Sequence, residues 1–193
     1  LVYRSEDGRI ERIFFAVAVG WIGQAWEPLF EVDPPGGATA GRLTTESKVR
    51  WRGTPLTQWS RRELARGLGV LLQHDDYRFP LSVHEAALAG RHPHLGRWQA
   101  EGPDDLATVS AALRATGLSG LGHRLVESLS GGERRRLAIA TLLAQDPQVA
   151  LVDEPVNHLD PGQQLALIDL LRDRFGAADR ALVVVLHDVN LAL

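Results

Sequence analysis

Two adjacent carboxylates, Asp153 and Glu154, close the apolar run Val149-Ala150-Leu151-Val152, and Ser130-Gly131-Gly132-Glu133 lies shortly before them. The run is short and lacks polar alternation, as in a strand buried on both faces of a parallel sheet. Ligands of such sheets bind at the carboxyl ends of strands, which is where the two acids fall. Ser130 and Glu133 have the S-x-x-E spacing of a capping box, so a helix is predicted to start there. Gly131 and Gly132 carry no Cβ, and an anion can approach the backbone amides closely. An anion site beside paired carboxylates suits a magnesium–nucleotide centre. Asp153 would hold Mg²⁺ through water, because this ion keeps much of its hydration shell. Glu154 would orient an attacking water or accept its proton. A capped helix and an acidic turn explain either half alone, but not both at this spacing.

These residues sit in a longer pattern. LSGGE (Leu129–Glu133), VALVDEP (Val149–Pro155) and NHLD (Asn157–Asp160) follow one another, Gln73 ends the apolar run before LLQHDD closes, and His187 ends Ala181–Leu186. In order and spacing the pattern resembles the ATP-binding cassette (ABC) ATPase family, matching its signature motif, Walker B strand, D-loop, Q-loop and switch histidine. The resemblance implies an α/β fold: a P-loop NTPase-like (RecA-like), mostly parallel sheet core with an inserted α-helical subdomain. It implies ATP and Mg²⁺ as cofactors, with Glu154, His187 and Gln73 catalytic and Asp153 and Gln73 at the metal. Ser130, Gly131, Gly132, Glu133 and Asp160 would contact nucleotide, the signature residues reaching the ATP held by a facing subunit.

One family element is altered. A phosphate loop G-x-x-x-x-G-K-[S/T] supplies amides and a lysine to the phosphates. The corresponding stretch here runs from Gly20 to Phe30 after a predicted strand, Ile13–Val19. Gly20 and Gly23 match it, but Ala25 replaces the second glycine, Trp26 the lysine and Glu27 the metal-binding hydroxyl. Trp26 supplies no cation, and Glu27 puts an anion where phosphate oxygens should lie. Gly36–Thr44 repeats the glycine spacing with Arg42 for lysine, but Leu43 spoils the metal ligand and Gln73 follows too soon. Lys48 is the only lysine and has no glycine loop before it. A shifted reading frame, a decayed gene and a truly altered loop all produce this pattern. Tyr3 is a weak counterpart of the aromatic residue that stacks on adenine.

The elements needed to hold the site can be placed along the chain. Residues 1–76 form the first part of the ATPase core, with the altered loop region at 20–47 and a Pro-, Gly- and Thr-rich loop at 33–47. Val49–Gly53 reads as strand and turn, Ser60 caps a short helix, and Gly69–Leu72 is a strand ending at Gln73. Residues 77–128 form the helical subdomain. Ser82–Glu85 opens one of its helices, and Asp104 or Asp105 opens another that stops at Gly117. Residues 129–193 hold the signature helix and the second part of the core, with Pro161–Arg174 helical and Ala181–Leu186 a buried strand.

Composition sets further bounds. The 193 residues are 45% hydrophobic with net charge −3 and no cysteine, enough for one α/β core and without disulfide or thiolate chemistry. The charge balance gives no case for nucleic acid as a partner. Ile13–Val19 is too short to span a bilayer, so membrane association is expected through a partner. The segments 79–83 and 90–94 resemble importers of iron chelates, haem and cobalamin within the family. That resemblance implies a cytoplasmic, peripheral subunit at the inner membrane. It would pair as a homodimer or with another cassette, dock on permease subunits, and act indirectly with a substrate-binding protein. His92 and His94, flanking a proline without a carboxylate or thiol nearby, read as solvated or packed on a partner rather than as metal ligands. The alternatives are a degenerate, non-hydrolysing cassette that completes an intact partner's site, or a soluble ABC ATPase outside transport. Both ends of the chain are expected to be incomplete relative to the family.

Overall fold

The computed structural model describes residues 2–4, 10–13, 19–22, 25–28, 30–33, 48–72, 80–156, 159–176 and 179–185. The first third is antiparallel. β1 (Val2–Arg4) pairs with β2 (Ile10–Ile13), and β3 (Val19–Ile22) with β4 (Ala25–Pro28). β5 (Phe30–Asp33) pairs with β6 (Lys48–Trp51), which also takes β7 (Thr54–Pro55). Arg52 and Gly53 make the β6–β7 turn, both at positive φ (51° and 70°), the backbone of a tight hairpin.

This region corrects two expectations. The predicted strand Ile13–Val19 is split between elements: Ile13 ends β2 and Val19 opens β3. The stretch aligned with a phosphate loop is a hairpin, with Gly20 opposite Glu27 and Trp21 opposite Trp26. Trp21, Ile22 and Trp26 favour a pleated surface, and two residues between strands are a hairpin length. Gly20 therefore lies within a strand, not in a loop leading to a helix. Gly23 and residues 34–47 of the loop expected at 33–47 fall outside the described residues, while Asp33 ends β5 rather than opening that loop.

The remainder is α/β. α1 (Arg61–Gly67) starts at a capping box in which Ser60 Oγ accepts the Glu63 amide at 3.2 Å and Glu63 accepts the Ser60 amide at 2.9 Å. The Trp51 ring lies so close to Gly67 that a Cβ there would run into it. β8 (Leu68–Leu71) follows, then α2 (Val83–Leu88), a 3₁₀ segment at Ala89–His94, and α3 (Pro103–Ala115). Ser82 and Glu85 cap α2 as predicted. α3 begins a residue before the predicted aspartates, and the Asp105 carboxylate accepts the Gly102 amide at 3.0 Å. Gly117 follows its end at φ 68°, a conformation glycine adopts without a Cβ clash. α4 (Gly131–Gln145), β9 (Val149–Asp153), α5 (Pro161–Phe175) and β10 (Ala181–Val185) complete the order. The parallel sheet runs β10-β9-β8. Register places Leu71 and Val184 beside Val152, and Val185 beside Asp153. The predicted pairing of Val149–Val152 with the run from Ala181 is what forms.

α4 is the packing axis. Leu137, Ala138, Ile139 and Ala140 are all buried, so the helix is enclosed rather than one-sided. One apolar cluster joins it to Val83, Ala86, Ala87, Val109 and Leu113 of the helical segment and to Leu71, Ala150 and Val152 of the sheet. Each fully buried Leu or Ile adds about 1.5–3 kcal/mol, against differences of at most about 0.7 kcal/mol in helix propensity among ordinary residues. Packing, not propensity, holds this helix. Its C-terminal carbonyls are used as anchors: Arg91 donates to Ala144 O at 2.8 Å, and His94 Nε2 meets Gln145 O at 2.8 Å. His94 is thus engaged inside the chain, which replaces the expectation of a solvated or partner-facing ring. Arg62 and Arg66 both donate to Pro93 O (3.0 and 2.7 Å), tying α1 to the same segment.

Two predictions follow from this packing. Gly90 sits against α4 so closely that a Cβ would press on the backbone carbonyl of Thr141, which cannot give way as a side chain would. Gly90→Ala should destabilise the chain by about 1–3 kcal/mol in urea unfolding, with β9 and β10 unaltered in topology. The second concerns Asp105, whose carboxyl is held below its usual range first by the Arg91 guanidinium at 2.8 Å and then by the Gly102 amide. A depressed acid stabilises the fold above its unfolded pKa, and that contribution disappears as pH falls through the lower folded value. The melting-temperature gap between wild type and Asp105→Asn should be constant above about pH 5 and close as the pH drops below the ordinary 3.8.

Candidate functional site

The carboxyl edge of the parallel sheet gathers the chemistry. Asp153 is the last residue of β9, and Glu154 follows at φ 49° with only 2% of its surface exposed. A left-handed backbone is unfavourable for a residue with a long side chain, by about 1–3 kcal/mol. Neighbouring elements enforce it. The Glu154 amide donates to Val185 O at 3.0 Å, continuing the β9–β10 ladder one residue past Asp153. On the other side its carbonyl accepts Arg135 Nη2 at 2.8 Å.

Arg135 was not singled out from the sequence, although it is 7% exposed and central to the site. Its Nε donates to Pro155 O at 3.2 Å, and its Nη2 donates to Asp153 O as well as to Glu154 O. Its Nη1 donates to Leu72 O at 2.6 Å. One guanidinium therefore holds three successive carbonyls of the acidic turn and the residue after β8. A sequence signal existed: Arg135 is four and seven residues from Ile139 and Leu142, so it falls on the apolar face of α4, where a charge needs a purpose.

The start of α4 is built as predicted. Ser130 Oγ accepts the Glu133 amide at 3.2 Å, and Glu133 Oε2 accepts both the amide and the hydroxyl of Ser130 at 2.8 Å. The Ser130 amide and then its hydroxyl hold the Glu133 carboxyl below its usual range, aided by Arg124 and Arg136. Ser130 and Gly131 are exposed, so the helix N-terminus faces solvent with room for an anion. Arginines also fix the approach to it: Arg134 donates to Leu129 O (3.2 Å) and Glu127 O (2.8 Å), and Arg124 to Ser128 O (3.2 Å). Asp160 has a structural task, since its carboxylate caps α5 by accepting the Gln163 amide at 3.0 Å.

Gln73, Asn157, His158 and His187 lie outside the described residues. Gln73 follows Leu72 directly in sequence, and His187 is two residues beyond Val185. Ser130–Glu133 and Asp153–Glu154 are linked to one another by α4 itself, through Arg135. Gly20 sits within β3, paired with Glu27 of β4. Among the described residues no cluster of three or more His, Cys, Asp or Glu side chains is arranged to hold a metal.

Comparison with known proteins agrees with this geometry. The family model described as ABC transporter matches residues 38–157, more than half of the chain. The chain belongs to the ABC transporter family. It is 39% identical over 192 residues to the hemin import ATP-binding protein HmuV of Nocardia farcinica, covering 95% of this chain and 63% of that protein. It is 36% identical over 159 residues to the ferric enterobactin transport ATP-binding protein FepC of Escherichia coli, covering 80% of this chain and 58% of that one. The chain thus spans 63% and 58% of the lengths of these two ABC relatives. Among solved structures, a dimeric bacterial ABC transporter cassette matches with a TM-score of 0.65 at 24% identity, over 77% of this chain and 66% of that chain. That likeness shows the cassette fold, the P-loop NTPase-like α/β architecture expected from the motifs.

The strain at Glu154 is directly testable. Glycine is the residue best suited to its backbone, so Glu154→Gly should be more stable than Glu154→Ala by about 1 kcal/mol. Denaturant unfolding of the two variants reads the difference, which reverses the usual order of glycine and alanine.

Proposed function

We propose that this chain is the ATP-binding subunit of an importer for haem or a ferric siderophore, converting ATP binding and hydrolysis into uptake. The observation that carries it is the turn after β9. A buried glutamate is held there in a strained backbone next to Asp153, with the capped, exposed N-terminus of α4 on the helix that clamps the turn. The names of the relatives, hemin import and ferric enterobactin transport, supply the substrate class. Association with a membrane permease on the cytoplasmic side of the inner membrane follows from the same relatives' transport role. No helix among the described residues is long and apolar enough to cross a membrane.

The donor set fits a magnesium nucleotide in part. Mg²⁺ is commonly bound by one or two carboxylates plus phosphate oxygens and water, so Asp153 suits it without a dense ligand cluster. When bound, the ion would neutralise charge on the phosphates. Glu154 would orient the attacking water and take its proton, with Gln73 and His187 completing the catalytic set. Ser130, Gly131 and Gly132 would present a hydroxyl and amides to the nucleotide of a facing subunit, as a homodimer or mixed pair. Glu133 acts by holding Ser130 in place, and Asp160 by starting α5.

The β3–β4 hairpin favours a second arrangement of the same role. With Trp26 and Glu27 in a strand, this chain lacks a lysine and hydroxyl for its own phosphates, and it would complete one site with a partner whose phosphate loop is intact. The test is ATP-dependent uptake of haem and of a ferric siderophore by liposomes holding the chain and a copurifying permease. Glu154→Gln should cut turnover about 10²–10⁴-fold while nucleotide affinity stays the same. The chain without any partner should turn over ATP near background. Uptake indifferent both to Glu154→Gln and to Ser130→Ala would overturn the proposal, indifference to Glu154→Gln alone would favour the paired site, and brisk turnover by the isolated chain would overturn the paired-site arrangement.

A further inference from the structure

Arg135 does more than satisfy carbonyls. It lies one turn into α4 from Ser130 and Gly131, on a helix whose start is pinned by a capping box and by Arg134. Its guanidinium reaches across to Leu72, Asp153, Glu154 and Pro155. The acidic turn is thereby gripped from one side by α4 and from the other by β10, through Glu154 N–H to Val185 O. Three consecutive carbonyls facing one donor cannot be met by an extended chain, whose carbonyls alternate in direction. The left-handed Glu154 is the local solution.

We propose that Arg135 is a positioning residue: it sets the direction of the Glu154 carboxylate and makes that direction depend on where the N-terminus of α4 sits. A nucleotide seated on Ser130 and Gly131 draws on α4, and the planar five-donor fork carries the displacement to the turn and to the end of β8. A lysine would not do this, because its ammonium is a point donor on a flexible stem. The coupling rests on the reading of Glu154 as the group that orients water for ATP hydrolysis.

The experiment compares wild type with Arg135→Lys and Arg135→Gln, Lys keeping the charge where Gln does not. Amide hydrogen exchange without nucleotide tests the clamp alone. Exchange at the Asp153, Glu154 and Val156 amides should rise about 10-fold or more in both variants, while α5 and the helical segment 83–115 stay within about 2-fold. In the permease complex, kcat for ATP should fall about 10–100-fold with KM within about 2-fold, and Arg135→Lys should not rescue it. Exchange that is unchanged, or faster everywhere alike, would overturn the inference, as would variants with wild-type kcat. If the wild-type complex itself fails to hydrolyse ATP, the functional reading fails, and the exchange pattern alone still decides whether Arg135 sets the turn.

Discussion

Everything described in the second half of the chain depends on burying α4 from several sides at once. Four consecutive buried residues, Leu137 to Ala140, leave that helix no face for water over its middle turn. The helical segment and the parallel sheet therefore cannot settle independently. Each covers part of a surface that would otherwise be exposed, and their apolar residues form one continuous cluster. The close approaches at Gly90 and Gly69 show how tightly this is done, since a Cβ at either would strike Thr141 O or the Leu142 side chain.

Polar groups then settle what packing leaves open. A helix end exposes unpaired carbonyls, and here they are consumed by side chains from elsewhere: Arg91 at Ala144, His94 at Gln145. Asp146 takes a left-handed cap conformation (φ 53°, ψ 50°), and its carboxylate accepts Arg174 and Arg180, both at 2.6 Å. This links the end of α4 to the end of α5 and the start of β10. The other end of α4 is managed by the Ser130–Glu133 box and by Arg124 and Arg134. With both ends fixed, Arg135 becomes a rigid strut to the acidic turn. In the proposed function one chemical group lies on a helix start and another at a strand end, and Arg135 spans the distance between them.

The first third of the chain follows different rules. Its strands pair with sequence neighbours as hairpins, whereas β8, β9 and β10 pair across long helical connections. Local antiparallel pairing draws on aromatic and β-branched residues, which Trp21, Ile22, Trp26 and Val32 supply. A phosphate loop also needs a second glycine, a lysine and a metal-binding hydroxyl, and this stretch has Ala25, Trp26 and Glu27 in their places.

By itself the sequence determined the parts whose signals are local. Capping boxes at Ser60, Ser82 and Ser130 were readable because S-x-x-E satisfies its own amides within four residues. The strands at Val149 and Ala181 were readable because each is an unbroken apolar run, although in β10 only Ala181 is buried. The motif order announced the family and the acidic turn. Tertiary structure alone decided that Glu154 is left-handed, that Arg135 is the residue holding it, and that His94 caps a helix. These depend on carbonyls 19 and 20 residues away along the chain for Arg135, and 51 for His94. Such partners carry no side-chain identity, so no sequence pattern marks them. Only the fold brings a backbone oxygen within reach of a chosen donor.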